Sequence, residues 1–435
     1  MRYLLITVSF YGTMMWAQAQ KADSVIAEMK SINKAVTGNA AAISNRAMNI
    51  FLADKTGYLS ESSDLSFYTN YATLNSSTGR ITVNHNFQKA TGSDEPIKKL
   101  PSVGLAVTLP ISFSNSFLDH RFDNGLGIML GYKWLGKVKT RFAVTGNDPG
   151  QKKSMDALRA AIVHTLETEI NKKDADFNMA LASVDTAEVP GQDITKAKEL
   201  MKQEFGELLK EEYQEKFASL QAIALTKTNN FKLISTNWTS VHVYLPLLSP
   251  GYFVASSLHT SFEHQHSWPL QLTLSHTRLW ESAKAGRLFA TASVGFLMNN
   301  SKLSYGLDNI NLAEYTVAGG TDTLHTAALK NNRAYIGNYE NFFTSTLQAR
   351  VVYFPGNSHI GVSFLIQQSF GSYDLLNSKI SIPVVLINSK KTPAANVDFY
   401  VLFLDMLNKI KSATALVSKT IIGLSVGVPL SRLMF

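Results

Sequence analysis

None of the chain's 435 residues is a cysteine. With no disulfide framework available, packing or a closed sheet must hold the fold together, and no cysteine exists to carry a lipid anchor. Past the N-terminal segment, no apolar run reaches the ~18 residues that a membrane-spanning helix needs. The sequence also has no Gly-rich phosphate loop, dinucleotide fingerprint, calcium loop or helix-borne H-E-x-x-H. Acidic charge is the scarcer kind, 33 Asp and Glu against 41 Lys and Arg, for a net charge of +8. The basic residues are dispersed rather than striped, which argues against a nucleic-acid partner.

What the chain does have is a distinctive pair of ends. Residues 1–19 carry Arg2, an apolar run from Tyr3 to Trp16, then Ala17-Gln18-Ala19. That is the layout of a cleaved export signal. The other end closes on Phe435 after a strand-like segment from Thr420.

Between the ends, apolar and polar residues alternate with period two. Val103, Leu105, Val107, Leu109, Ile111 and Phe113 share one face, opposite Ser102, Gly104, Ala106, Thr108, Pro110 and Ser112. The same pattern sets Leu288, Ala290, Ala292, Val294, Phe296 and Met298 against Arg287, Thr291, Ser293 and Gly295. The segments approach the ~9–11 residues of a tilted membrane-crossing strand. Their second faces are rich in Gly, Ser, Thr and Asn, as a water-facing lumen would be. Aromatics such as Tyr132, Trp134, Trp238, Trp268, Trp280 and Tyr353 gather near segment ends. The fold expected is an all-β transmembrane antiparallel β-barrel. Twelve strands are expected, at about 65–74, 79–88, 101–113, 125–142, 232–247, 269–281, 286–299, 341–354, 359–372, 377–388, 396–406 and 420–435. The stretch 252–263 keeps fourteen open as an alternative. Pro429 marks an expected bulge where the phase of the last strand shifts.

Residues 151–225 break the alternation. Met155, Leu158, Ile162, Leu166 and Ile170 recur at helical spacing, as do Leu209, Tyr213, Phe217 and Leu220, with Pro190-Gly191 in the connection. This segment has ten Lys or Arg and fourteen Asp or Glu, a net −4 that leaves +12 on the rest. It reads as an acidic helical hairpin, either packing under the barrel mouth or docking a periplasmic protein. A shorter amphipathic helix on Val25, Met29, Ile32 and Val36 precedes an Ala- and Asn-rich stretch, 39–49. Segment 20–60 is therefore expected to cap or plug the lumen.

The densest cluster of metal-ligating residues is His259, Glu263, His264 and His266, whose imidazoles and carboxylate suit zinc, copper or nickel. The competing reading is a solvated polar loop. Gly423-Leu-Ser425-Val-Gly427 spells a serine-hydrolase motif, which needs a strand-to-helix elbow, and too few residues follow for a helix. His276 and Ser293 could be set on neighbouring strands, but no motif singles them out. No catalytic residue and no cofactor are assigned, and the chain is not read as an enzyme.

With the signal, the repeats Val107-Thr-Leu-Pro110 and Ile380-Ser-Ile-Pro383, and the ending Val426-Gly-Val-Pro-Leu-Ser-Arg-Leu-Met-Phe435, the chain resembles outer-membrane β-barrel proteins of Gram-negative bacteria, in the style of the Bacteroidota. The resemblance covers roughly four-fifths of the mature chain. It implies location in the outer membrane, contact with its lipid, and insertion by the barrel assembly machinery that reads the terminal aromatic. The basic balance fits a surface facing anionic headgroups.

The organisation expected is a signal at 1–19, a helical cap or plug at 20–60, strands 1–4 in 61–145, the acidic insertion in 146–229 and strands 5–12 in 230–435. With the N-terminus periplasmic, the tight connections 283–286 and 355–358 and the insertion lie on the periplasmic side, and 300–340 lies outside. The leading functional expectation is a narrow transport or uptake channel. The alternative is a structural or partner-docking component that uses the insertion, and an outer-membrane enzyme ranks third.

Overall fold

The computed structural model describes residues 22–34, 43–56, 69–75, 80–87, 96–108, 125–142, 149–183, 194–228, 231–248, 251–302, 307–320, 323–372, 374–388, 393–409 and 420–432. The signal segment 1–19, Val36, the Pro190-Gly191 connection and Phe435 lie outside the described residues. In chain order the strands are β1 (Thr69–Asn75), β2 (Arg80–Asn86), β3 (Lys99–Thr108), β4 (Gly125–Leu135), β5 (Lys139–Phe142), β6 (Phe231–Pro246), β7 (Gly251–Ala255), β8 (Glu263–His266), β9 (Gln271–Ser282), β10 (Gly286–Asn300), β11 (Asp308–Gly320), β12 (Thr323–Ile336), β13 (Asn341–Pro355), β14 (Val362–Phe370), β15 (Leu376–Ile387), β16 (Pro393–Phe403) and β17 (Thr420–Arg432). The helices are α1 (22–34), α2 (Asn45–Thr56), α3 (Pro149–Ala182) and α4 (Ile194–Thr228).

Antiparallel pairing runs β1-β2-β3-β4-β6-β9-β10-β13-β14-β15-β16-β17, and β17 returns to β1, which closes a twelve-stranded barrel. Closure leaves the barrel no sheet edge, so each of its twelve strands finds partners on both sides. The alternation sets the two faces. Ile81, Val83, Val103, Leu105, Leu272, Leu274, Leu347 and Phe364 are exposed on the outer wall, while Thr82, Asn84, Ser102, Ser275, Ser293 and Ser363 are buried inside. This is the inverse of a soluble sandwich. An outward apolar belt around a polar interior is the arrangement that spans a bilayer.

The fourteen-strand alternative fails. Segment 252–263 supplies β7 and approaches β8, and these join β11 and β12 in a separate four-stranded sheet. That sheet also occupies the stretch 300–340, which the alternation left as a loop. The strand expected over 125–142 is broken at 136–138 into β4 and β5, both paired to β6. Pro429 does mark a bulge. Tyr71 pairs with Pro429 while Asn70 pairs with Ser431, so Leu430 is the extra residue.

One end of the barrel collects the tight connections β9–β10, β13–β14 and β15–β16, together with α2 and the insertion. The other collects the longer connections β3–β4, β6–β9, β10–β13 and β16–β17 and the small sheet, besides the short connections β1–β2 and β14–β15. At the first end, Gly286 adopts φ of +98° and a Cβ there would overlap the Phe354 carbonyl, so the β9–β10 turn needs glycine. The insertion leaves and re-enters at adjacent points, since Phe142 pairs with Phe231. Its helices α3 and α4 pack with α1 around Val25, Met29, Leu166, Ile170, Leu209, Tyr213 and Phe217, making a three-helix bundle. Leu158 and Ile162 of the expected stripe are only half-buried, and Val163 takes the buried place.

Candidate functional site

The site is the lumen and the helix that occupies its mouth. Ser44 caps α2 by accepting the Ala47 N–H at 3.2 Å. Ala47, Asn49, Ile50, Phe51, Leu52, Ala53 and Thr56 are all buried, so the helix is covered nearly all round. A helix buried on every side must sit inside something. Here it packs against inward side chains from strands around the barrel: Leu100, Ile234, Trp238, Leu279, Phe289 and Phe354. Phe51 meets Phe231 edge to face at 5.8 Å. Ala218, Ala222 and Leu225 of α4 cover the other side. Segment 20–60 thus divides its roles: α1 joins the bundle beneath the mouth, and α2 fills it.

Charge fixes the seat. Lys55 Nζ lies 3.1 Å from Glu281 Oε1, and Arg287 Nε donates to Glu281 Oε2 at 2.7 Å. Glu281 and Arg287 face each other across the β9–β10 pair and are only 4% and 6% exposed at the side chain. A carboxylate so deeply buried persists only when paired, and here two cations flank it. At the rim, partial desolvation of the exposed His359 imidazole holds it below its ordinary pKa, and the nearby Arg287 and Lys55 charges add to the effect. The N-terminal end of α2 is tied outward. Arg46 Nη1 donates to Gln214 Oε1 at 2.8 Å, Gln214 Nε2 donates to Glu28 Oε2 at 2.7 Å, and the Ser44 N–H donates to Gln221 Oε1 at 2.9 Å. The plug is therefore bonded to the barrel wall at one end and to the bundle at the other.

Beyond the plug the wall is polar and closely filled. Ser240 and Ser275 lie 2.6 Å apart, and Thr277 and Thr291 lie 2.9 Å apart. Lys379 Nζ sits 3.2 Å from Asp398 Oδ2 and 4.0 Å above the Tyr400 ring. The Tyr400 hydroxyl donates to Asn75 Oδ1 at 3.0 Å, reaching across β17 to β1. Gly423 lies directly opposite Tyr400, where a Cβ would overlap the ring.

The residues singled out from sequence fall elsewhere. Glu263, His264 and His266 are exposed on β8 at the far end. His264 Nδ1 and His266 Nε2 are 3.1 Å apart, as expected for alternate residues on one strand face, while Glu263 Oε2 accepts from Gln265. His259 is exposed in the preceding turn. Among the described residues no group of three or more His, Asp or Glu side chains converges as a metal site. Ser425 is buried in mid-strand opposite Asp398, so the hydrolase elbow does not form. His276 faces outward and Ser293 inward, and the two do not meet. The residues missed from sequence are Lys55, Glu281 and Arg287 as a set. The available signal was that Glu281 is the lone acid in β9 and β10, flanking a tight turn opposite Arg287.

No protein-family model matches the chain, and no curated protein matches it. Among solved structures it is similar to OmpT (in-vitro folded), an outer membrane protein of Vibrio cholerae, at 9% identity over 82% of this chain and 93% of that one, with a TM-score of 0.21. Fold and site rest on the strand pairing and side chains described above.

Proposed function

We propose that this chain is an outer-membrane barrel that forms a narrow path for small hydrophilic solutes, held closed by α2 and opened when the bundle withdraws it. The supporting observation is the plug itself: one helix, seated in one mouth, bonded to the lumen wall through Lys55 and to the bundle through Arg46 and Ser44. Residues 1–19 act as the export signal, and the end bearing the bundle faces the periplasm, where barrels keep their short turns. Twelve strands enclose a lumen that side chains largely fill, which limits the path to small solutes. Protein in planar bilayers tests the reading. The wild type should give small conductance or none, and a variant lacking 43–56 should give stable steps. Absence of steps in the folded deletion variant would refute a channel.

A second reading, partner docking, has its own observation. Met179, Leu200, Met201 and Leu208 are exposed on α3 and α4, away from the buried bundle core. Neither reading assigns catalysis to the chain.

A further inference from the structure

The apolar belt is interrupted on β9. On β9, His276 and Arg278 are exposed and face outward. His276 Nδ1 lies 2.9 Å from Thr239 Oγ1 on β6, and the Arg278 guanidinium lies 4.9 Å over the Trp280 ring. Their partners on β10 are Ala292 and Ala290, and Ala292 in turn faces Ala349 on β13, so a shallow strip of small side chains runs beside them. Toward the mouth that holds α2, exposed Lys139 pairs with Ser235, which pairs with Trp280. Lys139, Trp280 and Arg278 therefore share one patch. Exposed Lys137 and Arg141 flank it, and Lys99 sits beside Trp134. No Asp or Glu faces outward on β3, β4, β5, β6, β9 or β10. The single acid in those strands, Glu281, is inside the lumen.

Cations on a lipid-facing wall, with no acid beside them among the described strand residues, are costly in hydrocarbon and favourable near anionic headgroups. Trp280 lies between Arg278 and the mouth, as an interfacial aromatic would, so the guanidinium can reach headgroup depth. We infer that this patch binds the phosphate of an anionic glycerophospholipid, with Arg278 and Lys139 clasping the phosphate, Thr239 and His276 bonding its glycerol side, and an acyl chain lying along Ala290, Ala292 and Ala349. Which leaflet supplies the lipid rests on the proposed periplasmic position of this mouth. The site itself does not depend on channel activity.

The full chain, folded in detergent, can be incubated with dioleoylphosphatidylglycerol, dioleoylphosphatidylcholine, lipid A or inorganic phosphate and read by native mass spectrometry. The wild type should retain phosphatidylglycerol about tenfold better than phosphatidylcholine. Arg278→Gln with Lys139→Gln should erase the preference, and Arg278→Lys should keep most of it. Millimolar phosphate should not displace the bound lipid. Equal retention of both lipids by the wild type, or an undiminished preference in the folded double variant, would overturn the inference. Stronger retention of lipid A than of phosphatidylglycerol would overturn the commitment to a phospholipid. Bilayer conductance is read separately, so failure here and failure of the channel reading are distinguishable.

Discussion

Lys55 and Glu281 meet at 3.1 Å inside the barrel, although one belongs to a helix near the N-terminus and the other to a strand wall. The contact joins two parts of the chain that have no backbone pairing with each other. Glu281 also accepts from Arg287, so removing the acid takes away the buried carboxylate that the two cations share. Glu281→Gln should therefore cost roughly 3–5 kcal/mol, and adding Lys55→Met and Arg287→Met should recover much of it. Urea unfolding of the detergent-folded protein checks both. An unchanged midpoint in the single variant would mean the ion pairs do not hold the plug.

His359 reports on the same charges from outside the strands. Its imidazole should titrate below 6.5, chiefly through partial desolvation, with Arg287 and Lys55 contributing. Lys55→Met removes one of those cations, so the midpoint should rise toward 6.5. Proton NMR of the ring, assigned with His359→Gln, measures it. A lower midpoint in the variant would contradict the placement of Lys55 at the mouth.

Gly286 and Gly356 both have positive φ, but their surroundings differ. A Cβ at Gly286 would run into the backbone at Phe354 and Gly356, whereas at Gly356 the nearest neighbour of a Cβ is the Lys284 carbonyl, 3.9 Å away. Gly286→Ala should cost roughly 1–3 kcal/mol and Gly356→Ala less, since only the first adds a clash to the strained conformation. The denaturation midpoints of the two variants should fall in that order.

The twelve strands were legible because each had one apolar and one small or polar face, and period two leaves little freedom in which side turns outward. The bulge at Leu430 was legible through Pro429. The plug was not. Segment 45–56 (Asn-Arg-Ala-Met-Asn-Ile-Phe-Leu-Ala-Asp-Lys-Thr) has no apolar stripe, because it is enclosed by the barrel on one side and α4 on the other. Helical periodicity detects a helix with one wet face, and this one has almost none. The Lys55–Glu281–Arg287 set escaped for a different reason: Lys55 lies 226 residues before Glu281 and 232 before Arg287, and only barrel closure brings α2 to that turn. The four-stranded outer sheet escaped because β7 and β12 pair in parallel, a long-range contact that local alternation does not report.

The insertion should be dispensable for the barrel but not for its closure. β4 pairs directly with β6, and Phe142 already faces Phe231, so a short turn can replace 146–229 without stretching the sheet. That replacement strips Ala218, Ala222 and Leu225 from the back of α2 and removes the Gln214 and Gln221 acceptors. The variant should fold as a heat-modifiable barrel and conduct more than the wild type. Failure to fold would show that the bundle nucleates the barrel.

The side of the membrane on which the bundle lies decides how such a plug could be worked. The chain has no cysteine, so a single introduced thiol is an unambiguous reporter. Glu204 is exposed on α4 at the bundle end, and Leu258 is 70% exposed in the connection after β7 at the opposite end. A membrane-impermeant maleimide on intact cells should label Leu258→Cys and leave Glu204→Cys untouched. Permeabilising the outer membrane should then expose Glu204→Cys. The two positions sit at opposite ends of one closed barrel, so their labelling must invert together if the orientation is reversed. Labelling of Glu204→Cys on intact cells, with Leu258→Cys protected, would put the bundle outside. The force that withdraws α2 would then come from the cell surface, and the phospholipid patch around Arg278 would face the wrong leaflet.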